Sequence, residues 1–184
     1  MRDVLQLIPL AGFETEIGRW LWALEEVRRQ TLDSVMDLDP STLDWAGAQG
    51  NENAIGSLLY HIALVEMSWL FMDIFERELP SEVVSLFPHA MATEGRLTPV
   101  LGISLDAHLD RLRRSRGIFL ETLRGMSVDD WHRLRSPKDA PYQVTPAWAT
   151  FHLIEHEAGH AAQIRTLKAR AHRRANERTQ AGLG

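Results

Sequence analysis

At 184 residues, 45% hydrophobic and 24% charged, the chain fits a single domain of ordinary globular composition with enough apolar residues for a sizeable core. A formal net charge of −5 argues against a protein whose work is gripping phosphate backbones, and no nucleic-acid partner is expected. Cysteine is absent, which excludes a disulfide framework, a cysteine zinc site and a thiol nucleophile of the protein's own.

The chain starts with an apolar run, VLQLIPLAGF, that is interrupted by Pro9 and lacks a small-residue cleavage pattern, so it does not read as a signal peptide. No stretch reads as apolar and charge-free enough to span a membrane, and a cytoplasmic protein is expected. From about residue 11 to 37, Phe13, Ile17, Trp20, Leu21, Leu24 and Val27 recur at threes and fours. This spacing predicts a first helix with Glu14, Glu16, Arg28 and Arg29 off its apolar stripe. Trp22 also lies off that stripe, a position suited to a pocket wall or a dimer interface.

After Pro40 and the polar turn GAQGNEN, a second helix is predicted over about 53–79, with Asn53 as its cap. Ile55, Leu58, Leu59, Ile62, Val65, Trp69 and Met72 form its wide buried face. Prolines and glycines between Pro80 and Gly102 predict a long connection, with room for one helical turn at SEVVSLF. Ser104 caps a third helix, in which Leu105, Leu109, Leu112, Phe119 and Leu123 face inward and the arginines outward, and Gly125 ends it. SVDDW reads as a short capped helix. Thr145 and Pro146 then form a strong start signal for a fourth long helix, predicted to run to about Arg174.

Four long helices and no convincing strand predict an all-α four-helix bundle, with a long connection between helices 2 and 3 and a short extra helix before helix 4. Residues 1–175 read as one domain, and 176–184 as a disordered polar tail. Trp20, Trp69 and Trp148 fall on apolar stripes and read as core. His89, His108, His132 and His172 read as ordinary surface residues.

The fourth helix carries HEAGH, His156 to His160, which matches the HExxH signature of zinc metalloproteases. Residues four apart share a helix face, so His156 and His160 can present imidazoles to one ion. The longer protease motif fails, because Gln163 and Thr166 stand where a glycine and a third histidine are needed. Downstream only Glu177 remains as a carboxylate ligand, in a polar tail, so a protease is set aside. The third ligand must come from upstream. His61 is the best candidate, since it lies mid-helix among apolar residues, where an unpaired imidazole is costly. His152, one turn before His156, completes a ladder of three histidines on the last helix.

LLYHIA in the second helix, together with HLIEHEAGHAAQI in the last, resembles the DinB-like (YfiT-like) metal-binding four-helix bundles. Those proteins carry one ligand histidine in the second helix and an HxxxH pair near the end, usually followed by glutamine and an apolar residue. The resemblance implies His61, His156 and His160 as metal ligands, with Gln163 and Ile164 matching the residues that follow. His152 matches a common preceding histidine that need not be a ligand. Many members place Arg-Gly directly after the last histidine, whereas Ala161 and Ala162 stand here.

Three neutral imidazoles leave an ion's charge uncompensated and a coordination position open, as at a catalytic site. Such an ion lowers the pKa of bound water to about 7 or deprotonates a coordinating thiol. The resemblance implies the same alternatives: transferases or isomerases that use a low-molecular-weight thiol, and hydrolases. Imidazole suits zinc, nickel, copper and iron alike, and zinc or nickel is expected. Gln163 is placed to fix a histidine tautomer or to bind water, while Arg165 and the RLRRSR cluster could receive carboxylates of a thiol cofactor. Glu155 and Glu157 sit about 100° to either side of the metal face and read as solvated or bundle-facing carboxylates rather than a general base. The expected partners are a small-molecule substrate and a second copy in a homodimer. The competing reading is a non-catalytic protein of the same fold that stores or senses a metal or acts through a dimer surface.

Overall fold

The computed structural model describes residues 4–93 and 96–181. It is an all-α bundle of four long helices, α1 (Thr15–Val35), α3 (Ile55–Ser68), α5 (Leu105–Leu123) and α7 (Pro146–Ala181), with short helices α2 (Pro40–Leu43), α4 (Ser81–Val84) and α6 (Val128–Trp131) in the connections. Helix α1 packs on α7, α3 packs on α5, and α3 also contacts α7. The last contact brings the second and fourth long helices together.

The caps follow from local chemistry. The Ser104 hydroxyl accepts from the Ala107 amide at 3.2 Å and opens α5, and the Ser127 hydroxyl accepts from the Asp130 amide at 3.1 Å and opens α6. Thr145 accepts from the Trp148 amide at 3.1 Å, with Pro146 as the first residue of α7. Gly125, at φ +80°, lets the chain turn out of α5. At α3 the expected cap fails. Ala54, not Asn53, stands at the boundary and no side chain caps it. Pro40 does not end α1, which stops at Val35; it instead starts α2 behind the Asp39 carboxylate, which accepts from the Ser41 and Thr42 amides.

Helix α3 is the central element, buried on nearly every side from Ile55 to Met67. Together with the segment after it, Ile55–Ile74 is long and apolar enough to cross a membrane by length and composition, which corrects the sequence expectation. Its apolarity has another cause, since 78% of its 18-residue apolar window is buried inside the bundle. Trp69–Ile74 continues α3 as a π-helix, a looser turn frequent at functional sites. The wider turn puts Met72 on the surface and leaves Trp69 half-buried, against the predicted continuous buried face.

The long connection contains α4 and a two-residue antiparallel ladder, Ala92–Thr93 with Arg96–Leu97, too short to show as a strand pattern. It is pinned to α3, because the Val100 amide donates to Ser57 Oγ and the Tyr60 hydroxyl bonds the His89 backbone, each at 2.9 Å. Helix α7 runs on to Ala181, so residues 176–181 are helical and not the disordered tail predicted; 182–184 lie outside the described residues.

Two arginines predicted to face outward are buried. Arg28 (α1) and Arg116 (α5) are each 5% exposed, and both bind Glu66 (α3) and Glu157 (α7). Arg28 Nε donates to Glu157 Oε1 at 2.7 Å and Arg28 Nη2 to Glu66 Oε2 at 2.9 Å. Arg28 Nη1 donates to Leu112 O at 2.8 Å, and Arg116 Nη1 to Leu24 O at 2.9 Å and to Glu25 Oε1 at 2.6 Å. Each long helix thus gives one buried charge to a quartet of zero net charge, the condition under which buried ions are tolerated, and the half-buried Glu25 pairs with Arg116 at its edge. Burial alone would push the Glu66 carboxyl up, but the Arg116 and Arg28 charges outweigh it and hold the pKa below the usual range.

Candidate metal centre

Helix α3 delivers His61 and α7 delivers His156 and His160 to one point. His156 Nε2 lies 3.1 Å from His61 Nε2 and 3.1 Å from His160 Nε2, and one nitrogen from each ring falls within 4.8 Å of the others. Two nitrogens bound tetrahedrally at about 2.0–2.1 Å from a zinc ion stand roughly 3.3 Å apart, so this donor set fits an ion with little adjustment. All three histidines are half-buried.

The rings are prepared as ligands. Burial, followed by the neighbouring His160 charge, pushes the His61 pKa down to about 4. Burial, followed by the charges of His160, His61 and His152, pushes His156 down to about 3. Both imidazoles are therefore neutral at neutral pH, the form that binds a cation. His160 Nδ1 lies 2.9 Å from Gln163 Oε1; since that oxygen only accepts, this contact calls for the proton on Nδ1, the tautomer in which Nε2 is the ligating atom. His61 Nδ1 is buried without a hydrogen-bond partner, so the polar contacts of that ring lie at Nε2.

His152 does not join the group. Its ring lies parallel to Trp148, 4° apart with centroids at 5.4 Å, and 4.7 Å from Trp69, while its centroid is 5.9 Å from His156. Glu157 is 2% exposed and spent in the charge quartet, which makes it a bundle-facing carboxylate and not a base beside the ion. Glu155 and Arg165 are exposed. The RLRRSR cluster is dispersed, with Arg116 in the quartet and Arg111 donating to Leu86 O at 2.9 Å over the Tyr60 ring.

A cavity of about 710 Å³ opens beside His160, the one member of the cluster that lines it, with Gln163, Thr166, Asn53, Glu52 and Arg170 among its other walls. Arg170 holds Glu52 through both guanidinium nitrogens, at 2.5 and 2.7 Å. Sequence reasoning missed this wall. The polar turn GAQGNEN was its only trace, and nothing in that turn indicates a partner in the last helix.

His108 corrects another expectation, being 1% exposed with its Nε2 unpartnered. Gly56 on α3 makes room for it, since a Cβ there would lie 3.0 Å from His108 Nε2. Trp20 and Trp148 are also not core, at 36% and 50% exposure.

The family model described as DinB superfamily matches residues 23–164, a span that includes His61, His156 and His160. No curated protein matches the chain.

Proposed function

The chain belongs to the DinB superfamily, and from that membership we propose that it is a metal-dependent enzyme in which His61, His156 and His160 hold zinc or nickel. When bound, the ion supplies Lewis acidity that turns a low-molecular-weight thiol, or water, into a nucleophile towards an electrophilic small molecule. The observation that supports this best is the meeting of three Nε2 atoms beside a cavity large enough for a small molecule.

The protein's own groups divide the remaining work. Gln163 keeps the proton of His160 on Nδ1 and so aims the Nε2 lone pair inward. Asn53, Thr166 and the Glu52–Arg170 pair offer polar contacts to a substrate in the cavity. With no cysteine in the chain, a thiol route needs an external thiol, which fits a reducing cytoplasm. A homodimer belongs to the same proposal, with the exposed edge-to-face pair Trp20 and Phe151 as its contact; light scattering of the wild type and of a Trp20→Asp, Phe151→Asp variant tests it.

Elemental analysis of purified protein beside a His61→Ala variant tests the site. Bound metal in the wild type and its loss in the variant support the reading, whereas equal content removes His61. A panel of thiols with a halo-aromatic compound or an epoxide, with and without chelator, then tests turnover. Metal without turnover would favour storage or sensing.

A further inference from the structure

A second concavity, of about 360 Å³, lies toward the start of α7 and is walled by Trp69, Tyr142, Trp148, Leu134 and Val144. It is molecule-sized, and its walls are mostly aromatic and aliphatic, with Gln143 and Thr145 as the polar members. Trp148 is 50% exposed, Tyr142 44% and Leu134 59%, a cost in exposed apolar surface that an ordinary surface does not need to carry.

The pocket is built rather than left over. Its outer wall is the 134–145 loop, which is braced at several points against the end of the π-helical segment. The Tyr142 hydroxyl donates to Asp73 Oδ1 at 2.8 Å, and Arg135 Nε donates to Ile74 O at 2.9 Å. The Ser136 amide donates to Glu76 Oε1 at 2.7 Å, and Arg135 and Val144 form an antiparallel bridge. The inner wall, Trp69, is the first residue of the π-helix, where the widened turn shifts side-chain positions relative to an α-helix. With both walls fixed, the pocket is preformed for its occupant.

A line of rings along α7 leads from the pocket wall to the histidine cluster. Trp148, His152, His156 and His160 recur at four-residue intervals on α7, and consecutive rings lie 5.4, 5.9 and 4.4 Å apart by centroid. About 12 Å of helix rise separates Trp148 from His156. The polar cavity at Gln163 and Arg170 lies on the far side of the ligands, so the centre has an apolar aromatic recess at one end and a polar one at the other.

We propose that this recess binds an uncharged aromatic group at one end of an extended substrate, stacked against Trp148 and Trp69, while the reacting end reaches the histidines. This deepens the enzymatic reading and rests on it for the link to reaction, but binding in the recess does not. Stacking on an indole favours planar rings, and no charged side chain lines the walls to solvate an ion.

Fluorescence titration with the neutral probe N-phenyl-1-naphthylamine tests the proposal, with its sulfonated analogue 1-anilinonaphthalene-8-sulfonate for comparison. Wild type, Trp148→Ala, Leu134→Asp and His156→Ala are each checked for helicity by circular dichroism. The expected result is one saturable site that prefers the neutral probe, weakened tenfold or more in both Trp148→Ala and Leu134→Asp. Affinity should be unchanged within twofold in His156→Ala, even where metal is lost. Absence of saturable binding, wild-type affinity in both recess variants, or loss of the site with His156 would each overturn it. Because metal content is read separately, failure of the metal reading and failure of this one are distinguishable.

Discussion

Arg28 and Glu157, 129 positions apart in the chain, meet in the centre of the bundle, with Arg28 Nε donating to Glu157 Oε1 at 2.7 Å. Glu157 directly follows His156 of the histidine cluster, and the same arginine binds Glu66, five residues after His61. Removing one member leaves the others as buried, uncompensated charge. Glu157→Ala should therefore cost about 3–5 kcal/mol of stability, measured as a shift in urea midpoint. A cost below about 1 kcal/mol, the worth of a surface pair, would mean that the quartet is not the bundle's electrostatic centre.

Gln163→Ala should weaken metal binding by roughly 10- to 100-fold, the usual effect of losing the group that orients a ligand histidine. The proton on His160 Nδ1 would lose its acceptor at 2.9 Å and the ring its fixed orientation. Isothermal titration of chelator-treated protein with zinc reads the change. Since Gln163 is exposed, the fold should not respond.

Stability of the metal-free protein should fall with acidity in a definite window. Burial, with the Arg111 charge added, pushes the His108 pKa from 6.5 down to about 4, and His61 and His156 move the same way. The unfolded chain takes up protons that the folded chain refuses, so the contribution of these groups is complete above about pH 6.5 and is lost progressively as the pH falls, towards about 4 for His108 and His61 and about 3 for His156. Urea midpoints measured across that range should slope downward with falling pH, and His108→Gln should flatten the slope. An unchanged slope in the variant would exclude His108 as a contributor.

Gly56→Ala should be destabilising by about 1–3 kcal/mol, the cost of overpacking. The new methyl would sit 3.0 Å from His108 Nε2 and 3.3 Å from the Val100 carbonyl. Combining it with His108→Ala removes the first clash, so the two changes should be less costly together than their sum. Strict additivity in thermal unfolding would show that the backbone contact alone sets the penalty.

These residues also show which features were legible in the sequence. The long helices were readable because apolar spacing, capping serines and the Thr145–Pro146 start are local signals. The convergence of His61 with His156 and His160 could be anticipated because a four-residue interval makes a helix-face pair, and a mid-helix histidine among apolar residues needs a partner. Arg28 and Arg116 were misread because periodicity treats a charge as an outward marker, while their partners are 38 to 129 residues away. His108 was misread for the same reason, since the space that accepts it is made by a glycine on another helix. The exposed tryptophans were misjudged because an aromatic stripe looks alike whether it lines a core or a recess.

The four-way charge arrangement also bears on descent. A lineage that loses one carboxylate passes through an intermediate with two buried guanidiniums sharing the one that remains, so these four positions should be exchanged as a set or not at all. Loops, recess walls and the outer face of α7 carry no such obligation and are free to drift. Diversification on this scaffold should therefore change what is grasped long before it changes where the histidines stand.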